Sequence, residues 1–283
     1  ALNLRGGIIM NPIGAFNQNH DGPKWEFIQR PNTVTDLIGA TLSNAGFGIH
    51  GKFFKKKWVL GYEADLTNGF DDHSIDNSLN RTYLPASKAN NERFDGSNNG
   101  QPLYNAKVAI KNRKIGEIGL SYMGGVYNKF QEDGVQLDEK RSMRVLAIDF
   151  NTTIQKTGTY LVGEIDFVEV DVPDTYTQQY GKNQRGAFVD IVQPVLKKTI
   201  LDWENATLNL AARFDYVDYN IGHFNETGGN IADDLYAITP AISFRPSAQT
   251  VFRLNYRYEW RRDLLGNPAS KTAAWLAGFS TYF

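Results

Sequence analysis

Charged side chains recur at every second position along much of this sequence, and it is that spacing which could do chemistry. Glu63 and Asp65 stand two apart, as do Glu164 and Asp166, Arg213 and Asp215, while Arg253 and Arg257 stand four apart. Alternate residues of an extended strand share a face, so each group presents its charges to one side. Ionised groups on the wall of a water-filled bore orient polar solutes and filter them by charge. The basic members of the row are Arg5, His50, Lys52, Lys107, Lys111, Arg213, Arg253 and Arg257. The acidic members are Glu63, Asp65, Glu117, Asp149, Glu164, Asp166 and Asp215. The acids concentrate in the middle of the chain and the arginines towards its end, so opposite walls of opposite sign would set a transverse field. The other reading is that these groups pair within a wet interior, and Arg213 with Asp215 reads as such a local pair.

Other chemistry has less to stand on. Asp71, Asp72, His73 and Asp76 are hard-cation ligands by type, but in so polar a stretch they also read as solvated surface. His20 and Asp21 beside Gly22 and Pro23 read as a turn. A hydrolase would need a histidine, a serine and a third residue converging on one face. The four histidines are His20, His50, His73 and His223; three fall in loops, His50 falls on the charged row, and no GxSxG elbow occurs. There is no cysteine, which removes thiol catalysis, thiolate metal sites and disulfides. The expectation is a chain that is not an enzyme and holds no metal or cofactor.

What would position those rows is a set of strands. The 283 residues are 41% hydrophobic and 22% charged, with 13% aromatics. No apolar run approaches the ~20 residues a spanning helix needs. Apolar residues instead alternate with the charged ones: Trp58, Leu60, Tyr62, Ala64 and Leu66 oppose Val59, Gly61, Glu63 and Asp65. Phe252, Leu254, Tyr256 and Tyr258 likewise oppose Arg253, Asn255, Arg257 and Glu259. Residues 272–283 put Trp275, Phe279 and Phe283 on one row with nothing charged.

About twelve such strands can be read, and the connections between them alternate short and long. The long, Asn/Gly/Pro-rich ones cover about residues 11–43, 70–103, 128–141, 172–185, 218–234 and 260–271. Residues 186–196 are the least clear strand, because Phe188, Asp190 and Val192 share a face and Pro194 removes a ladder donor. Short turns at one end and long loops at the other characterise outer-membrane barrels. A soluble sandwich or lipocalin-like barrel also alternates, but it would have to bury one whole aromatic face. The expectation is an all-β, transmembrane, antiparallel up-and-down β-barrel forming a single domain over 1–283. Ala1 opens directly into a strand with no signal peptide, which reads as a processed or incomplete N-terminus.

Several stretches resemble the phosphate-selective porin O/P family: RGGIIMNPIGAFNQNHDGP, the following QRP, GFGIHGKF, YEADLTNGF, LAARFDYVDYN, ISFRPSAQTVFRLNYRYEW and the terminal AGFSTYF. The resemblance implies an outer-membrane diffusion channel, usually trimeric, in the bacterial envelope. Family barrels have more strands than twelve, so this is either a small member or one with sixteen or more once upstream strands are counted. The expected function is a porin for small polar or charged solutes, anions such as phosphate among them. The alternative is a non-conducting barrel acting as a scaffold or subunit of an envelope complex. Expected partners are outer-membrane lipid and lipopolysaccharide, with a homotrimer or a larger complex; a net charge of −1 offers no case for nucleic acid.

Overall fold

A computed structural model describes residues 2–70, 73, 82, 84, 94, 99–173 and 181–282. Twelve strands form one antiparallel sheet in sequence order. They are β1 (Asn3–Met10), β2 (Ser43–Lys55), β3 (Trp58–Thr67), β4 (Leu103–Asn112), β5 (Gly116–Val126) and β6 (Ser142–Ile154). The remainder are β7 (Thr159–Val170), β8 (Asn183–Ile200), β9 (Trp203–Asp218), β10 (Asp234–Ser247), β11 (Thr250–Arg261) and β12 (Ser270–Thr281). Connections at one end are two to four residues, as at 56–57 and 155–158, and those at the other are long.

Period-two alternation sorts the side chains as a bilayer requires. Ile49, Ala64, Ala106, Tyr122 and Leu146 follow one another across five strands at one height on the outer face. Leu60, Ile118, Ile148, Ile165, Phe214 and Phe279 also lie exposed on that face. On the inner face Asp149, Glu164, Asp166, Asp190, Arg213 and Asp215 are each at most 2% exposed. A slip of one residue would exchange the two sets. An outer belt of hydrocarbon side chains around an inner polar row is the arrangement of a transmembrane barrel.

The strand read least clearly proves the longest. Asn183–Ile200 runs 18 residues, and Pro194 is tolerated because its pairing with β7 has already ended at Val192 opposite Tyr160. On the other side the register with β9 shifts between Pro194 and Leu196, a bulge that accommodates a residue without an N–H. β1 and β12 are the two ends of the sheet and each pairs on one side only among the described residues.

Residues 11–42, the first long connection, turn into the concavity of the sheet. They carry two short 3-10 turns, Asn17–Asn19 and Gly22–Lys24, and one π turn, Thr33–Ile38. Ile13, Phe16, Val34, Leu37, Ile38 and Leu42 of this segment are at most 2% exposed. They pack on inner-face residues Leu103, Met143, Val145, Phe188, Val217 and Leu235. The half of the interior nearest the long loops is thus an apolar core, and burying each such side chain stabilises by about 1.5–3 kcal/mol.

Candidate functional site

A segment buried without a strand ladder must find partners for its backbone elsewhere. Here the wall supplies them. On β7, Glu164 Oε2 accepts the N–H groups of Ala15 at 2.7 Å and Phe16 at 3.2 Å, and Asp166 Oδ2 accepts the Thr33 hydroxyl at 2.6 Å. Ser121 Oγ on β5 accepts the Gly14 N–H at 2.9 Å. Lys107 Nζ on β4 bridges the Gly14 carbonyl at 2.6 Å and Asp149 Oδ2 at 2.8 Å. Gly14 sits at φ +62°, and a Cβ there would lie 1.8 Å from Glu164 Oε1. Only glycine allows the backbone this close to the carboxylate.

The opposite wall holds the carbonyls. Arg253 Nη1 on β11 donates to the carbonyls of Gly22, Trp25 and Phe27 at 3.0–3.1 Å, and its Nη2 reaches Ser280 on β12. Arg213 on β9 donates from Nη1 to the Gln29 carbonyl at 2.7 Å. Arg245 on β10 donates to the Pro23 carbonyl at 2.7 Å and to Glu26 Oε1 at 2.7 Å. Arg257 Nη2 meets Asn32 Oδ1 at 2.6 Å while its Nη1 meets Asp215 Oδ2 at 3.1 Å. N–H groups of residues 14–16 therefore face the acidic wall and carbonyls of residues 22–29 face the basic wall. The segment is thus tied at residues 14–16 mainly to acceptors on β5 and β7 and at residues 22–29 to arginines on β9, β10 and β11, largely through charge-assisted bonds, the strongest kind available.

All of the charged residues singled out by spacing lie on the inner face. Beyond those already placed, Arg5 joins Glu63 at 2.8 Å and Asp65 at 2.7 Å, and Gln18 donates to Glu63 at 3.0 Å. Lys111 lies 3.6 Å from Glu117 near the short-turn end. His50 and Lys52 line a 210 Å³ cavity with Glu63 and Lys107. One pairing is corrected: Arg213 bonds Asp190, with two contacts of 2.6 Å, rather than Asp215. Asp190 lies directly opposite Arg213 in the β8–β9 register, whereas Asp215 is two residues along the same strand and is taken by Arg257 and Asn32.

Spacing did not reveal the roles of Glu26, Arg245 or Asp190. The signal for an internal segment was nonetheless present. Val145, Val168, Phe188 and Val217 are apolar yet stand on the charged row, where a wet bore has no use for them. Asp71, Asp72 and Asp76 lie outside the described residues, and no group of metal-ligating side chains occurs among the described ones.

No family model matches the chain. An uncharacterized protein of Aquifex aeolicus (strain VF5) is 33% identical over 66 residues, 23% of this chain. That match spans 14% of the relative's own length. Among solved structures the chain is similar to outer-membrane expressed OmpT of Vibrio cholerae, with a TM-score of 0.54 at 9% identity, covering 100% of this chain and 77% of that one. The likeness also corrects one expectation. The residue types alone point away from an enzyme; likeness to OmpT overturns that exclusion, because the shared scaffold leaves catalysis open and fold does not dictate function. The chain has the fold of an outer-membrane β-barrel.

Proposed function

We propose that this chain is a porin of the bacterial outer membrane, a passive diffusion channel for small polar or charged solutes. The observation that carries this reading is residues 11–42 held across the interior between carboxylates of β7 and arginines of β9, β10 and β11. A segment so held narrows a bore at a fixed height, and cavities of 640 and 210 Å³ remain beneath it towards the short-turn end. Polar lining with a constriction is what selective passage needs. The resemblance to the phosphate-selective porin O/P family supports the same class, with outer-membrane lipid and lipopolysaccharide around it and a trimer as the assembly. Phosphate is not carried over, since Arg213, Arg253 and Arg257 are engaged with segment atoms and carboxylates.

A second reading, a non-conducting scaffold or complex subunit, draws on the apolar core that fills the long-loop half of the interior. Single-channel recording in planar bilayers separates the two. Stepwise currents from the purified protein are expected; a silent bilayer containing verified, folded protein overturns the porin reading in favour of the scaffold.

A further inference from the structure

The larger cavity, about 640 Å³, opens beneath the inward segment at the short-turn end. Its volume lies within the range of small-molecule sites. Three aromatic side chains stand in its wall: Trp25 from the segment, Tyr160 from β7, and Tyr282 just beyond β12. Trp25 is fixed in place, because its indole N–H donates to the Asn19 carbonyl at 2.7 Å and its ring packs 4.6 Å from Phe16. Asn151 adds an amide that can donate and accept, whereas the Asn209 amide, also in the wall, already donates to Ser243 at 3.1 Å. Among the described residues, neither the Tyr160 hydroxyl nor the Asn151 amide has a side-chain hydrogen bond to the protein.

Charge decides what kind of solute this wall suits. Each cation in the lining already faces a carboxylate: Arg245 faces Glu26 at 2.7 Å, Lys111 faces Glu117 at 3.6 Å and Lys24 faces Asp21 at 2.8 Å. The Lys24 ammonium, through its hydrogen bond, holds the Asp21 carboxyl below the usual carboxylate range. Each charge in the lining is thus already compensated, so an anion gains less here than beside an unpaired cation, and a cation less than beside an unpaired carboxylate. An uncharged solute does not depend on either gain. What it meets is apolar ring surface beside amides and a hydroxyl, the combination that fits a sugar ring with its C–H faces and equatorial hydroxyls.

We infer that this cavity binds an uncharged polyhydroxylated solute of one or two sugar rings, with Tyr160 and Asn151 making its hydrogen bonds and Trp25 and Tyr282 its stacking contacts. The inference rests on the porin reading and adds a substrate class to it. The test uses the folded full chain in planar bilayers, with maltose as the neutral probe and inorganic phosphate as the anionic one. Maltose is expected to interrupt the ion current in a concentration-dependent way, and phosphate at equal concentration is not. Tyr160→Ala and Asn151→Ala are each expected to raise the half-blocking maltose concentration about tenfold, equivalent to ~1.4 kcal/mol. Tyr160→Phe, which keeps the ring, should raise it less. A conducting channel that ignores maltose, or one blocked by phosphate instead, overturns the inference and leaves the porin standing. If no current flows at all, the porin reading falls, and titration calorimetry of maltose in detergent micelles decides the site alone: heat lost in Tyr160→Ala supports it, and no heat from the unaltered chain ends it.

Discussion

Asp190 and Arg213 face each other across β8 and β9 through two hydrogen bonds of 2.6 Å, both side chains 2% exposed, and the same guanidinium reaches on to the Gln29 carbonyl. Breaking one member of a buried pair leaves the other unpaired, at a cost of about 3–5 kcal/mol. Asp190→Ala should lower unfolding stability in micelles by that amount. Asp190→Leu together with Arg213→Met should recover most of it, while leaving residues 11–42 more open to protease because the Gln29 contact is gone. Equal stability of the single and double variants would contradict this account.

Gly14→Ala should loosen the inward segment more than its size suggests. A left-handed φ costs a non-glycine residue about 1–2 kcal/mol, and the new Cβ would also push Glu164 from Ala15 and Phe16. Limited proteolysis should cut within 11–42 sooner in the variant, with the strand content by circular dichroism unchanged.

Arg253→Ala frees three segment carbonyls and removes one positive charge from the inner wall. On the porin reading, unitary conductance should rise and the reversal potential in a salt gradient should shift towards cations. Arg253→Lys should restore the charge but hold fewer carbonyls, so the two readouts should separate. Identical currents in all three proteins would remove the segment from the conduction path.

Ile148 lies mid-strand on the outer face between Leu120 and Ile165. Ile148→Arg places a guanidinium against hydrocarbon, which at the midplane costs about 2–4 kcal/mol. Refolding into liposomes at graded urea should show that loss. The same variant refolded in a soluble, lipid-free state with unaltered stability would argue against a membrane-facing belt.

The loop after β5 carries its own acid sensitivity. Arg141 holds Asp138 through bonds of 2.8 and 3.1 Å, and this pairing keeps the Asp138 carboxyl below its ordinary value. A carboxyl lowered on folding contributes stability above its unfolded value, ~3.9, and loses it as pH falls through the folded one. Hydrogen exchange at residues 128–141 should therefore be flat from pH 7 to about 5 and accelerate, relative to its intrinsic rate, below pH 4. Asp138→Asn should abolish that acid step.

Much of the fold was legible because hydrocarbon imposes a local rule: Leu60 and Phe252 must alternate with Glu63 and Arg253, and two-residue periods survive in short windows. Strand ends were less legible. Asn183–Ile200 runs past Pro194 because a bulge, a feature of two strands rather than one, absorbs the missing donor. The candidate site was half legible. Its wall charges follow from alternation, but Ile13, Phe16, Leu37 and Ile38 sit at no regular spacing inside a stretch rich in Asn, Gly and Pro. Local composition there marks a loop, and only the apolar intruders on the inner row, such as Phe188 and Val217, hint that something folds in against them.

The inward segment lies early in the chain, yet several of its anchors are late: Ile28 meets Asn255 at a separation of 227 residues, and Pro23 meets Arg245 at 222. Residues 14–16 and Thr33, by contrast, are tied to Lys107, Ser121, Glu164 and Asp166, on strands that come off the chain much earlier. The two halves of the segment therefore depend on different parts of the sequence. A chain halted before residue 245 would keep the partners of residues 14–16 but leave the carbonyls of Gly22, Pro23, Trp25 and Phe27 without Arg245 and Arg253, and protease should then cut first in that second half.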